Sequence, residues 1–255
     1  MKFCFGTVCW GGYLERYIDL FVNNYVLLFK GLTSLDVAYH DIADPIVVCC
    51  NEEIGPAAEN AIEKIKNSTG KTLKIINNKR AYGTYTVMYS TRNNLRKAFR
   101  KMYPTEQKVF FYFPIDDAIR SDVILELISL SRKDVPAACM FKFMVHDTPE
   151  KYIAGTRPIT SYNDINPKDW GGYCAYNILD EDKCPLYPKI AIPNVAFYAE
   201  LYRAGYKQYS STKICIDHLR HSDSHHFKYK DTDMSDKVTE FLMKQKRELK
   251  EGGYN

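Results

Sequence analysis

The 255-residue chain contains no Cys-x-x-Cys pair among its eight cysteines (4, 9, 49, 50, 139, 174, 184 and 215). Several of them lie in apolar runs that read as buried strands, which argues against a disulfide framework and for reduced thiols in a cytosolic setting. No apolar stretch approaches the roughly 20 residues that a transmembrane helix needs. The N-terminal apolar run is short, contains cysteine and lacks a small-residue cleavage site, so neither a membrane span nor a secretory leader is expected. Charge of one sign is also scarce: 35 Lys and Arg against 31 Asp and Glu leave +4, too little for a nucleic-acid coat but compatible with a local pocket for a small anion. The glycine patterns of a dinucleotide fingerprint or a phosphate-binding P-loop are missing, as is a nucleophile elbow, so redox, ATPase and serine-hydrolase chemistries have little support.

What the chain has in quantity is aromatic side chains: 20 Tyr, 13 Phe and 2 Trp, 14% of all residues. Tyrosine combines an apolar face with a polar tip, a surface that suits sugars and bases. The rest of the composition, 45% hydrophobic and 26% charged, is that of a folded globular protein. Its length fits one large domain with a C-terminal extension.

Along the chain, strands alternate with helices. Lys2 to Cys9 reads as a strand broken by Gly11-Gly12, followed by an amphipathic helix from Tyr13 to Phe29 with Leu14, Ile18, Phe21, Val22, Tyr25 and Leu28 on one face. Ile46 to Cys50 suits a central parallel strand, and Pro56 marks the first turn of a helix reaching about Asn67. Thr72 to Ile76 predicts a third strand, and Tyr85 to Met102 a third helix ended by Pro104. Val109 to Phe113 is the most hydrophobic strand, and a helix is expected from about Ser121 to Ser131. Such a series implies a mostly parallel sheet with right-handed crossovers and a ligand crevice at the carboxyl ends of its strands. The loops after residues 9, 50, 76 and 113 should therefore converge. Beyond a strand at Ala137 to Val145, residues 148–188 are rich in turn formers and read as short strands and loops facing a substrate. A helix from Asn194 to Ala204 ends at Gly205, Lys213 to Ile216 forms a strand, and a charged helix runs from Ser235 to about Lys250. That last helix would pack on the domain or at a dimer interface, with membrane-surface contact as its less favoured use.

Asp116-Asp117, at the end of the aromatic strand, is the strongest chemical signal. Adjacent carboxylates can hold Mg²⁺ or Mn²⁺, which neutralises the phosphates of a nucleotide; the competing reading is a solvated turn with an Asp at the helix start. Cys215, His218, His221, His225 and His226 form a second cluster, read either as a structural zinc site or as a pocket-closing loop with one functional histidine.

Several segments together resemble an inverting, family-2-like glycosyltransferase of the GT-A fold. They are Phe5-Gly6-Thr7-Val8-Cys9-Trp10, Val47-Val48-Cys49-Cys50-Asn51-Glu52-Glu53, Phe113-Pro114-Ile115-Asp116-Asp117, Tyr202-Arg203-Ala204-Gly205-Tyr206-Lys207 and the histidine after the next strand. Their order spans most of residues 2 to 226. The resemblance implies a Rossmann-like α/β domain over 1–234, with a nucleotide-binding half (1–120) and an acceptor-side half (121–234), followed by a helix and tail over 235–255. It also implies a nucleoside-diphosphate sugar donor with a uridine or guanosine base, a glycan or other hydroxyl acceptor, and Mn²⁺ or Mg²⁺. Thr7, Val8, Trp10 and Asn51 or Glu52 would grip base and ribose, and Arg80 would face the base or the diphosphate. Asp116 and Asp117 are similar to the acidic metal motif, and His218 to the late histidine that completes the metal site or contacts the diphosphate.

Two positions depart from the family. Only two acidic residues stand in the metal motif, and Pro193-Asn194 stands where relatives carry the acidic pair that includes the catalytic base. Asn cannot take a proton, so Asp180-Glu181-Asp182, beside Tyr173 and Tyr176, becomes the candidate source, with Asp180 and Asp182 as catalytic residues. A retaining transferase on the same fold would work without a base. A sugar-nucleotide pyrophosphorylase would share the nucleotide-binding architecture, but the first loop lacks the Arg and Lys that such an enzyme needs. A carbohydrate-binding relative of the same fold, without catalysis, is the non-enzymatic reading. A cytoplasmic enzyme of microbial or viral origin is expected.

Overall fold

Four parallel strands carry the first half of the molecule. In the computed structural model of the protein, residues 1–9, 13–49, 55–77, 85–115, 117–118, 128, 137–141, 144–145, 156–159, 184–186, 197, 204, 207–211 and 217–218 are described. For 13, 85–90, 117–118, 137–141, 144–145, 156–159, 207–211 and 217–218 the description is of the backbone. The order is β1 (Lys2–Cys9), α1 (Tyr13–Ser34), a 3-10 turn (Tyr39–Asp41), β2 (Ile46–Cys49), α2 (Pro56–Thr69), β3 (Lys74–Asn77), α3 (Tyr85–Met102) and β4 (Lys108–Tyr112). The strands pair in the order β3-β2-β1-β4, every pair parallel. From β1 the chain steps outward to β2 and β3, and α3 then carries it back to β4 on the other side of β1. The direction of winding thus reverses between β1 and β4, which defines the switch point of the sheet.

Alternation along each strand divides the core between two faces. On one face, Phe3 and Phe5 of β1, Val47 of β2 and Phe111 of β4 join the apolar stripe of α1 and Ala58, Ala61 and Ile65 of α2. The ring of Phe5 lies 5.1 Å from Phe21, 5.6 Å from Tyr25 and 5.5 Å from Phe113. Tyr25 donates its hydroxyl to the Ala43 carbonyl at 3.0 Å. Burial, with a smaller contribution from Asp44, raises its pKa far above the usual tyrosine value and keeps it a donor. On the other face α3 rests directly on the sheet: a Cβ at Gly6 would meet Leu95 Cδ1 at 2.7 Å and the Ile46 carbonyl oxygen at 2.9 Å. Glycine is needed there for the close approach of the helix, not for its backbone angles.

The second half is built of short strands. β5 (Asp117–Ala118), β10 (Asp217–His218) and β7 (Met144–Val145) form one small sheet, and β6 (Ala137–Phe141), β9 (Lys207–Ser211) and β8 (Thr156–Ile159) another. The single strand expected over 137–145 is therefore two strands in different sheets. Arg96, fully buried, donates to the carbonyls of Pro185 at 2.7 Å and Cys184 at 3.3 Å, and lies 5.1 Å from the Phe197 ring centre. Arg100 donates to Cys184 as well, at 2.8 Å. Through these contacts α3 fastens part of the second half to the sheet.

Most boundaries agree with the sequence reading to within two residues, and α1 is the exception. It continues five residues past Phe29 to Ser34, then closes with Asp36 N–H donating to Thr33 O and Val37 N–H to Leu32 O, both at 3.1 Å. Asp36 holds the left-handed conformation at φ 59°. This is a Schellman-type ending with Asp where Gly is usual. Ile128 and Phe197 are helical and Ala204 lies in a turn, while the other residues of the helices expected at 121–131 and 194–204, the strand at 213–216 and the helix at 235–250 lie outside the described residues. Among the described residues no helix is long and apolar enough to cross a membrane. Cys4, Cys9, Cys49 and Cys184 are buried thiols.

Candidate functional site

The parallel register brings three strand ends into one row. Cys9 pairs with Cys49, and Cys49 with Asn77. Each of these residues ends its strand, and each precedes a segment that carries expected nucleotide-facing residues: Trp10, then Asn51 and Glu52, then Arg80. These four lie outside the described residues, but their points of departure share one edge of the sheet.

β4 stops lower down, its last pair being Tyr112 with Gly6. Thr7 continues the connection by one step. Its hydroxyl, fully buried, donates to the Phe113 carbonyl at 2.5 Å. Burial then persists without a break from Lys108 through Pro114 and Ile115. Since Pro114 offers no N–H, the Thr7 bond pins the chain across the switch point just before Asp116. Thr7 and Val8 are both buried, at 0% and 5% exposure. Thr7 thus spends its hydroxyl on the backbone that leads to the acidic pair.

Asp117 and His218 come together although they lie about a hundred residues apart in the chain. β5 and β10 are antiparallel, with His218 directly opposite Asp117 and Asp217 opposite Ala118; such partners lie roughly 4.5–5.5 Å apart at Cα. β5 also runs close to α1. A carboxylate pair suits a hard divalent cation such as Mn²⁺ or Mg²⁺, and an imidazole beside it suits Mn²⁺ better than Mg²⁺. Asp116, Asp180 and Asp182 lie outside the described residues, and Asp117 and His218 are described by their backbone. Among the described residues no group of three or more His, Cys, Asp and Glu forms a metal cluster.

Two features of this edge escaped the sequence reading. Asn77 ends β3 with its Oδ1 buried and without a hydrogen-bond partner, in the same row as Cys9 and Cys49. Polarity at a strand end was the available signal. The second is Glu15 in the first turn of α1, which accepts the Gly55 N–H at Oε1 and the Ala57 N–H at Oε2, each at 2.9 Å. The hint in the sequence was Gly55-Pro56, a helix start with no side chain of its own to cap it.

Neither a known family nor a curated protein matches the sequence. Solved structures do match the fold. S. aureus TarS 1-349 is similar with a TM-score of 0.57 and 14% identity, covering 85% of this chain and 59% of that one. The same fragment in complex with UDP-GlcNAc gives 0.57 and 16%, covering 91% and 62%. GalNAc-T7 with UDP, GalNAc and Mn²⁺ gives 0.54 and 13%, covering 88% and 44%. The chain spans less than two thirds of the length of each of these proteins. They are glycosyltransferases of the GT-A type, and the parallel sheet with flanking helices found here is a GT-A-like α/β fold.

Proposed function

We propose that the chain is a metal-dependent glycosyltransferase that moves a hexosyl or pentosyl group from a UDP- or GDP-sugar to a hydroxyl of a glycan or similar acceptor, with inversion. The observation that carries this reading is the pairing of Asp117 with His218, beside the strand end that delivers Asp116. The UDP-GlcNAc of the TarS complex and the UDP and Mn²⁺ of the GalNAc-T7 structure support the donor and metal classes.

In this reading Asp116, Asp117 and His218 would hold a cation, whose charge would offset that of the departing diphosphate. Trp10 and Asn51 or Glu52 enclose the base and ribose, and Arg80 faces the base or diphosphate. Thr7 acts from beneath, through the Phe113 carbonyl, to aim the acidic pair. The acceptor hydroxyl attacks the anomeric carbon as the bond to the diphosphate breaks, and Asp180 or Asp182 takes the hydroxyl proton.

The test is calorimetric titration of UDP, GDP and their sugar conjugates in Mn²⁺ and then in EDTA, on the wild type and on Asp116→Ala. Binding of one nucleotide that EDTA removes, and that Asp116→Ala lacks, is the expected result. Affinity left intact in Asp116→Ala would sink the metal assignment, and a folded wild type that binds no nucleotide would sink the donor class.

A further inference from the structure

We infer that Glu15 is a positioning residue for the donor site: its carboxylate ties the start of α2 to the start of α1 and so holds together the far ends of the two segments, 10–12 and 50–54, that leave the row of strand ends. This inference rests on the reading of that edge as the donor site.

The local chemistry requires an outside acceptor. The first amides of a helix have no partner within it. Gly55, at φ −93° and ψ 179°, supplies no capping side chain, and Pro56 has no N–H. The Ala58 and Glu59 amides turn to the Gly55 carbonyl at 3.1 and 3.3 Å, which leaves those of Gly55 and Ala57 for the two oxygens of Glu15. One carboxylate therefore meets both, where the dipole of α2 also favours negative charge. The contact is closed on the other side as well: a Cβ at Gly55 would lie 2.5 Å from Glu15 Cδ and 2.7 and 2.8 Å from its oxygens. Gly55 serves by leaving room, since its φ is open to any residue.

The connections turn this cap into a brace. Cys9 and Cys49 are register partners; three residues join Cys9 to α1, and five join Cys49 to Gly55. Both segments therefore leave from one pair and finish at one carboxylate. There is a second effect. A helix N-terminus is a natural seat for phosphate, but Glu15 already fills that of α2. Neutralising a donor diphosphate would then fall to a cation held by the acidic pair and to basic side chains such as Arg80.

Three substitutions test the brace. Glu15→Gln keeps the shape but leaves one acceptor for two donors, Glu15→Ala removes both acceptors, and Gly55→Ala intrudes on the carboxylate from the opposite side. UDP affinity in Mn²⁺ is measured for each and for Glu15→Ala/Gly55→Ala, at a temperature where circular dichroism shows every sample folded, with melting midpoints taken in parallel. A brace that pre-orders the donor segments predicts weaker binding by about 10-fold in Glu15→Ala and about 3-fold in Glu15→Gln. Gly55→Ala should also weaken binding, and should add no loss once residue 15 is Ala. Lower melting midpoints with unchanged UDP affinity would show a purely structural cap and overturn the inference, as would fully additive losses in the double variant. Should Glu15→Ala fail to fold, Glu15→Gln and Gly55→Ala decide by the same criterion. A wild type that binds no nucleotide removes the donor reading together with this role; wild-type binding that the variants leave intact removes this role alone.

Discussion

The two faces of the parallel sheet are packed by different means. Under α1 and α2 the contacts are rings and aliphatic chains, centred on Phe5 with Phe21, Tyr25 and Phe113 around it. Under α3 the buried side chains include arginines: Arg92 lies 4.9 Å from the Tyr112 ring centre, and Arg96 holds two carbonyls and the Phe197 ring. The first face is closed mostly by its own helices, with Ile128 joining it from further along the chain. The second is finished by distant parts of the chain, because a buried guanidinium must have acceptors and finds them at Cys184 and Pro185. The apolar face makes a core, and the face with arginines makes a joint.

If that division is right, the largest loss comes from the core. Phe5→Ala should remove about 4 kcal/mol and lower the urea midpoint of the whole molecule by every probe. Next is Arg96→Ala, expected to cost about 2–3 kcal/mol by taking the guanidinium from the Pro185 carbonyl while Arg100 still reaches that of Cys184, with a different signature: residues beyond 180 should become sensitive to protease at urea concentrations where the parallel sheet is still protected. Loss of both regions together would show that the joint is part of one core. The smallest effect belongs to the polar exception on the apolar face. Thr7→Val keeps the volume but leaves the Phe113 carbonyl without its donor, at about 1–2 kcal/mol. A urea midpoint indistinguishable from wild type would mean that the bond contributes little to holding β4 against β1.

The sequence made the parallel half readable because each element there carries a periodic signal of its own. β1 and α3 fall where alternation and the Pro104 stop predicted them, and Asp116-Asp117 announced themselves by following a buried aromatic strand. α1 is legible only as far as Phe29, because Lys30 and Gly31 interrupt its apolar stripe; Leu32, fully buried, resumes it, and an aspartate makes the turn. The partition of 137–145 into two strands was hidden for another reason. β6 pairs with β9 and β7 with β10, and no local pattern reveals which distant segment a short strand will choose. Likewise the Asp117 and His218 positions were each visible alone, while their alignment depends on a register that only the folded chain defines. Glu15 looked like an ordinary helix-surface charge because its partners, the Gly55 and Ala57 amides, are backbone groups that leave no trace in composition.

The strand order also has a consequence for how the molecule is made. β1 pairs with β2 and β2 with β3 through successive strand-helix units, contacts that can form while synthesis is still under way. The pairing of β1 with β4 waits for the whole of α3, and the Thr7 to Phe113 bond closes a separation of 106 residues. Distant pairings of this kind are slow, and an open strand edge attracts other chains while it waits. The seam that carries the candidate site is therefore expected to be the last part of the parallel sheet to close, and the nascent chain to be most prone to aggregate in the interval before β4 emerges.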